Sequence, residues 1–248
     1  MARPAALAVL LLVAVAGCNA PANPTPTVTP AAVPEGPVGY PPGLSPDGVD
    51  RPERLAEAHA DAVADRSYAW TLEERRYTDR TVGVERVSVR RAGPARYNGS
   101  VLREFRRREG AVDRRTLVYA DGEHRYSRTV ENGTASVRRE PARRVGDEGV
   151  YEATAERLVV RYLAVGNATV TRTERDGETL FRLVGRTTGR VSASGYRVVA
   201  LVTPAGLVRE LRASYEPRRG PVRAVELRWR YGGLGRTTVS APAWYPPG

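Results

Sequence analysis

Residues 225–231 read Val-Glu-Leu-Arg-Trp-Arg-Tyr, and this stretch decides the fold class. Its apolar side chains alternate with charged ones, so a strand formed here has one apolar face and one charged face. Antiparallel sheets commonly bury one face and leave the other in water. The stretch therefore predicts an antiparallel strand whose valine, leucine, tryptophan and tyrosine side chains point toward a core.

The same period of two recurs from Tyr68 to about Arg144 and again from Val170 onward. Dipeptides typical of tight hairpin turns interrupt it. They are Asn98-Gly99, Asp121-Gly122, Asn132-Gly133 and Asp176-Gly177, with Pro204-Ala205-Gly206 as a further turn. The apolar positions slip by one residue between Val84 and Val87, which predicts a β-bulge. Together these features predict about ten antiparallel strands.

Two segments have helical periodicity instead, and both are amphipathic. The first helix is predicted to begin at Asp50 as its N-cap and to end near Arg66. The second is predicted within residues 147–165, stopped by Gly166. This order of elements favours a strongly curved, incomplete β-barrel with both helices covering its open side. We therefore predict an α+β, mostly antiparallel β fold, in one globular domain over residues 49–248.

Residues 1–17 are predicted to be a signal peptide. An apolar run of 12 residues extends from Ala5 to Ala16. As a helix it would be about 18 Å long, too short to cross a hydrocarbon core of about 30 Å. The end of the run, Val15-Ala16-Gly17-Cys18, resembles the lipobox of prokaryotic lipoproteins. This resemblance implies cleavage before Cys18 and attachment of a lipid to its thiol.

Residues 18–48 are predicted to be the lipidated cysteine followed by a tether rich in proline and threonine. Proline at this density favours an extended, polyproline-like chain. We therefore expect the protein to be lipid-anchored on the extracellular face of the cell membrane. Three glycosylation sequons fit this location, and all fall where we expect turns. Their acceptors are Asn98, Asn132 and Asn167.

The chain has 39 basic side chains, all of them arginine, and a formal net charge of +11. Clustered arginines are candidates for an anion-binding patch that would contact anionic headgroups or acidic components of the cell envelope. They are Arg106, Arg107, Arg108, Arg114, Arg115, Arg138 and Arg139. Adjacent arginines on a strand point to opposite faces, so only half of them can share one face. The alternative to an anion-binding patch is a solvated outer face without a partner. We expect no nucleic-acid partner, because an exported domain rarely meets one.

No motif in the sequence indicates catalysis. Neither a nucleophile elbow nor a phosphate loop is found, so we predict a protein without enzymatic activity. The single cysteine excludes an intrachain disulfide. His59 and His124 have no second histidine or cysteine at ligand spacing, so neither a metal nor a cofactor is expected. His59 is predicted to pack between helix and sheet, and His124 to be a solvated turn residue.

Five aromatic side chains are candidates to line a ligand cavity. They are Tyr68, Trp70, Tyr162, Trp229 and Tyr231. Aromatic residues on the inner face of a sheet also form ordinary core, and the sequence leaves both interpretations open.

Residues 40–50, Tyr-Pro-Pro-Gly-Leu-Ser-Pro-Asp-Gly-Val-Asp, resemble the entry motif of a family of haloarchaeal surface lipoproteins. Residues 202–208 resemble a hairpin of the same family. That family is similar in architecture to periplasmic lipoprotein carriers and mycobacterial lipid-binding lipoproteins, in which helices cover a hydrophobic cavity in an incomplete barrel. The resemblance implies a binding module for a lipid or another apolar or amphiphilic ligand. The alternative is a structural or interaction protein of the cell envelope that uses its arginine-rich face.

Overall fold

A computed structural model describes residues 39–107, 110–142, 152–188 and 190–245, with all side chains except those of residues 105–113, 152, 153 and 188. The predicted signal peptide, Cys18 and most of the predicted tether lie outside these ranges. No helix within them is both long enough and apolar enough to cross a membrane.

The described part of the chain contains two helices and thirteen strands. The helices are α1, Pro52–Ala64, and α2, Glu152–Leu163. In chain order the strands are β1 (Leu44–Ser45), β2 (Gly48–Val49), β3 (Tyr68–Thr78), β4 (Val82–Gly93), β5 (Arg96–Arg107), β6 (Gly110–Asp121), β7 (His124–Glu131), β8 (Thr134–Pro141), β9 (Val165–Arg175), β10 (Glu178–Thr188), β11 (Ala193–Val202), β12 (Val208–Pro217) and β13 (Val222–Gly232).

Eleven of these strands form one antiparallel sheet in the order β8-β7-β6-β5-β4-β3-β13-β12-β11-β10-β9. The sheet is curved and does not close, which confirms the predicted α+β class and incomplete barrel. This sheet has eleven strands, whereas the sequence predicts about ten. Strands β1 and β2 pair separately, and β2 lies against β9. Leu44 is buried in the core, so packed structure begins before residue 49, the predicted start of the domain.

Two predicted interruptions are in fact continuous strand. Strands β3 and β4 pair in one register throughout, so the bulge predicted between Val84 and Val87 is absent. These two valines lie on opposite faces of β4 because side chains alternate along a strand. Asn98-Gly99 is not a turn: Gly99 pairs with both Val89 and Val118 in the middle of the sheet. The other predicted hairpin turns are confirmed.

The helix ends differ from the predicted ends. The N-cap of α1 is Arg51, whose side chain makes no capping hydrogen bond. Asp50 instead accepts a hydrogen bond of 3.0 Å from the Ser45 hydroxyl, so its carboxylate is engaged outside the helix. Helix α2 ends before Gly166, which already belongs to β9. The predicted stop at this glycine is therefore wrong.

The core lies between the helices and one face of the sheet, which we call the inner face. Trp70 and Trp229 are on this face, and the opposite face is called the outer face. Helix α1 turns a buried stripe toward the inner face, formed by Leu55, Ala56, His59 and Val63. Helix α2 packs beside α1 and buries Ala155, Val159, Tyr162 and Leu163. Both helices therefore cover part of the inner face, as predicted.

Candidate functional site

Four of the five candidate cavity residues form one buried group beneath α1, which we call the aromatic cluster. They are Tyr68, Trp70, Trp229 and Tyr231, and each is at most 3% exposed. The Trp70 and Tyr231 rings stack with centroids 6.1 Å apart, and Tyr68 meets Tyr231 edge-on at 5.2 Å. These rings fill the space between α1 and strands β3 and β13 with one another. A ligand would reach them only if α1 moved away from the sheet.

His59 joins α1 to the aromatic cluster, as the sequence predicts. Its ring stacks on Trp229 at 5.5 Å and meets Tyr231 edge-on at 5.2 Å. Its Nδ1 accepts a 3.1 Å hydrogen bond from the backbone N–H of Val208. The Trp229 indole donates to the carbonyl of the same residue, so Val208 is held through both of its backbone groups. Burial lowers the pKa of His59 to about 4, and the ring is therefore neutral at pH 7.

A buried arginine ties the end of α1 to the sheet. Arg91 on β4 is 2% exposed and donates hydrogen bonds to the carbonyls of Val63, at 2.8 Å, and Ala64, at 2.6 Å. Its guanidinium also lies 5.6 Å from the ring centroid of Tyr68. A cation is stabilised at a helix C-terminus because the last carbonyls carry partial negative charge. The sequence showed only an arginine pair at 90–91 and gave no sign that its second member is buried.

The fifth candidate, Tyr162, lies apart from the aromatic cluster. It projects from α2 onto strands β11 and β12, where its ring is 6.3 Å from Tyr215. Tyr196 donates a 2.6 Å hydrogen bond to the backbone carbonyl of Tyr162. Burial raises the pKa of both Tyr162 and Tyr196 well above the usual value, so these phenols stay protonated. The five aromatic residues thus form two groups, one under each helix.

The inner face changes from apolar to charged along three adjacent strands. Leu72, Val87 and Val101 form one row across β3, β4 and β5. Two residues further along each strand, the next row consists of Glu74, Glu85 and Arg103. Like charges directly opposite each other on a sheet are destabilising, so the facing glutamates need nearby cations.

Arginines next to these glutamates supply that compensation. Arg76 donates to Glu74 at 2.6 Å, and Arg103 donates to Glu85 at 3.4 Å. These residues line a half-enclosed cavity of about 250 Å³, which we call the charged depression. Its wall also includes Thr78, Thr81, Gly83, Val84 and Val222. The sequence analysis missed this site, because its charges are spread over three strands and meet only through their register.

The arginines of the predicted patch do not share one face. Arg114 and Arg138 lie on the inner face, whereas Arg115 and Arg139 lie on the outer face. All four are exposed. This alternation was expected for adjacent arginines on a strand. The side chains of Arg106 and Arg107, and the whole of Arg108, fall outside the described residues, so anion binding by the patch stays a prediction.

The three sequon asparagines occupy different settings. Asn132 is in the β7–β8 turn with a φ of 50° and is exposed. Asn167 is exposed but lies within β9. Asn98 lies within β5 between two paired strands, and is half-buried. The prediction that all three lie in turns therefore holds for Asn132 alone, and glycosylation of any of them stays a prediction.

Among the described residues, the remaining histidine and the acidic side chains form no metal centre. His124 follows the Asp121-Gly122 turn as the first residue of β7 and is half-buried, so the prediction of a solvated turn residue is wrong. Its ring is within 3.0 Å of the Arg139 guanidinium and beside the ring of Tyr126. Across the described ranges, no three His, Cys, Asp or Glu side chains are grouped so that they could hold a metal ion.

Comparison with known proteins finds no matching family model and no matching curated protein. Among solved structures, LprF from Mycobacterium bovis is 13% identical with a TM-score of 0.41, covering 82% of this chain and 98% of its own. A LolA-superfamily protein from Nitrosomonas europaea is 12% identical with a TM-score of 0.25, covering 75% and 93%. A putative outer-membrane lipoprotein-sorting protein domain from Vibrio parahaemolyticus is 11% identical with a TM-score of 0.26, covering 78% and 96%. Because these TM-scores lie below 0.5, the function of this chain has to be argued from its own residues.

Proposed function

We propose that this chain is a non-enzymatic binding module for an amphiphilic ligand, exported and held at the extracellular face of the membrane by a lipid on Cys18. The observation that carries the binding proposal is the change from apolar to charged side chains along β3, β4 and β5. An amphiphile has the same division, and each of its parts would find a matching surface within two residues along the strands.

The polar part of the ligand would occupy the charged depression. Arg76 and Arg103 can donate to anionic oxygens of a headgroup, while Glu74 and Glu85 can accept from a cationic or hydroxyl group. The depression thus suits a polar or zwitterionic headgroup better than a purely apolar molecule.

The apolar part of the ligand would lie along the row of Leu72, Val87 and Val101. This row leads from the charged depression toward the aromatic cluster. Leu72 and Val87 are each 8% exposed, and the rings beyond them pack against one another and His59, so an apolar chain would reach the row only when the helices separate from the sheet. The two tryptophans and Tyr231 would then line a cavity, which is one of the two roles that the sequence leaves open for them.

The anchor part of the proposal comes from the sequence. A lipid on Cys18 contributes about 0.8 kcal/mol of membrane affinity per buried methylene. Residues 19–39, in polyproline-like conformation, would span roughly 65 Å between the membrane and the first packed residues. The module could then work at a distance from the bilayer surface while remaining attached to it.

Mass spectrometry of the protein extracted from its native membrane tests both parts. We expect a covalent mass showing loss of residues 1–17 and a lipid on Cys18, together with a non-covalent amphiphile that is released on denaturation. A free thiol with the first 17 residues still present contradicts the anchor. A ligand-free native spectrum contradicts the binding module.

The variant Cys18→Ser separates the two parts. It should lose the covalent lipid and, after purification, still take up an added amphiphile as the wild type does. Loss of amphiphile binding in this variant would mean that the ligand signal came from the anchor itself.

A further inference from the structure

The centre of the outer face holds two adjacent arginines that form no ion pair with a carboxylate within the described ranges. The charge of one of them, Arg212, still contributes to lowering the pKa of Glu210, after the hydrogen bond that this carboxylate accepts from Arg230. Arg212 on β12 and Arg228 on β13 are directly opposite each other in the register, and both are exposed. Opposed residues on neighbouring antiparallel strands have Cβ atoms roughly 5 Å apart, where like charges destabilise the sheet. No hydrogen bond or ion pair within the described ranges connects either arginine to a carboxylate.

The nearest carboxylates are already engaged by other arginines. Glu73 lies directly across from Arg228 on β3, but its two oxygens accept hydrogen bonds from Arg75, at 2.7 Å, and Arg86, at 2.8 Å. The hydrogen bond from Arg86 holds the pKa of Glu73 below its usual value. Glu73 therefore remains ionised, and both of its oxygens are engaged by arginines other than Arg228.

Glu210, the second carboxylate in this region, is also shared. One of its oxygens accepts from Arg230 at 2.8 Å and from Arg175 at 3.1 Å. The local balance is thus positive around Arg212 and Arg228. The neighbouring arginines do form ion pairs with these glutamates, and Arg212 and Arg228 differ from them in this respect. The paired arginines are Arg75, Arg86, Arg175 and Arg230.

The couple opens onto a cavity of about 490 Å³. Beside Arg212 and Arg228, the cavity is lined by Arg86 and Arg230, by the hydroxyl-bearing residues Thr71 and Ser88, and by the carboxylates Glu73 and Glu210. Arginines therefore outnumber carboxylates in its wall by four to two. Guanidinium groups bind carboxylate, phosphate and sulfate through paired hydrogen bonds, and hydroxyl groups can add further donors.

We propose that this cavity is an anion-binding site in which Arg212 and Arg228 together bind an oxyanion group, the phosphate, sulfate or carboxylate of a free anion or of a lipid headgroup. Bound between them, the anion removes the repulsion between the two guanidinium groups. The site is on the opposite face of the sheet from the charged depression and is independent of the proposed function.

Titration of the full chain with inorganic phosphate at constant ionic strength tests the site. Arg212→Gln/Arg228→Gln should weaken binding at least about tenfold, because it removes two charge-assisted partners of the anion. Arg197→Gln is the control. Arg197 on β11 is exposed on the outer face, as Arg212 and Arg228 are, but does not line the cavity, so its replacement should change phosphate binding less than about twofold. In a second experiment, binding of the same proteins to vesicles of anionic phosphatidylglycerol is compared with binding to vesicles of zwitterionic phosphatidylcholine.

The two experiments distinguish the sources of the oxyanion. Loss of phosphate binding in the double variant supports a site for a free anion, and loss of binding to phosphatidylglycerol vesicles alone supports a headgroup site. Unchanged binding of both probes by the double variant, an equal loss in Arg197→Gln, or no saturable binding by the wild type would overturn the proposal. Without anion, the double variant should unfold at or above the wild-type temperature, because the repulsion is gone, and this shows that lost binding is not lost folding.

Discussion

Arg91 stabilises the position of α1 through one side chain. A buried arginine loses its hydration and must recover that free energy from hydrogen bonds. Arg91 recovers it from two carbonyls at the end of α1 and from the face of Tyr68. Because these partners belong to the helix and the sheet respectively, the side chain connects both layers of the fold.

Arg91→Met should lower the free energy of unfolding by about 3 kcal/mol, since charge-assisted hydrogen bonds to two carbonyls are lost while the apolar stem is retained. Urea unfolding followed by circular dichroism measures this. Arg90→Met, at the exposed neighbouring position, should cost less than about 0.5 kcal/mol. Equal losses of unfolding free energy in the two variants would show that the buried hydrogen bonds of Arg91 do not stabilise the fold.

His59 should make the stability depend on pH. Its pKa is lowered in the folded protein to about 4 from 6.5, so the unfolded chain binds a proton more readily than the folded one. The stabilising effect of the neutral ring is present above pH 6.5 and is lost as the pH falls toward 4. Between pH 7 and pH 5 the free energy of unfolding should fall by about 2 kcal/mol.

Unfolding curves for His59→Gln and His124→Gln across this pH range provide the comparison. The first variant should lose most of the pH dependence and the second should keep it, because of the two histidines only His59, on α1, is buried in the core. If the free energy of unfolding of His59→Gln depended on pH as steeply as that of the wild type, the pH dependence would come from groups other than His59.

At the scale of elements, the turn between β11 and β12 fixes how closely α1 approaches the sheet. Gly206 in this turn has a φ of 91°, and a Cβ placed on it would lie 2.5 Å from the Cβ of Ala58 on α1. Both the left-handed backbone and the missing side chain are therefore required there.

Gly206→Ala should destabilise the protein by about 3 kcal/mol, from backbone strain and from the clash with α1. Gly177→Ala is the matched control, since Gly177 has a φ of 75° but no atom within 4 Å of an added Cβ, and it should cost about 1 kcal/mol. Ala58→Gly in the Gly206→Ala background should restore part of the loss. If Ala58→Gly restored no stability, the loss in Gly206→Ala would come from strain in the turn backbone and not from the clash with α1.

Elements whose signal is local could be predicted from the sequence. Asn132-Gly133 and Asp176-Gly177 adopt the positive φ values of tight hairpin turns because nothing in their surroundings competes. Asn98-Gly99 carries the same signal but lies within β5, where Tyr97 is buried and pairing on both sides outweighs the turn preference. Similarly, Ser45 engages Asp50 and removes it from the helix cap.

The charged depression could not be predicted, because its position depends on pairing between distant residues. Residues 73–76 read Glu-Glu-Arg-Arg, a run that resembles solvated surface. Alternation sends Glu74 and Arg76 to the inner face and their neighbours to the outer face. Only the registers of β3, β4 and β5 then bring Glu85 and Arg103 beside them.

At the scale of the whole molecule, the two faces of one sheet carry different chemistry. The inner face passes from the aromatic cluster to the charged depression. The outer face carries arginines, some paired with glutamates and two of them, Arg212 and Arg228, adjacent and without an ion pair in the described part of the chain. Ion pairs between arginine and glutamate lie on both faces, as Arg76 with Glu74 on the inner face and Arg86 with Glu73 and Arg230 with Glu210 on the outer face. Of these surfaces, the transition on the inner face is the one that resembles an amphiphile in its division into apolar and polar parts.

The most direct test of that account is fluorescence titration of the full chain with a labelled lysophospholipid. Arg76→Ala/Arg103→Ala should weaken binding at least about tenfold, since two donors to the headgroup are lost. Arg197→Ala/Arg219→Ala, which removes the same charge from exposed positions elsewhere, should bind as the wild type does. Equal affinities of all three proteins, or equal losses in both double variants, would contradict binding at the inner face.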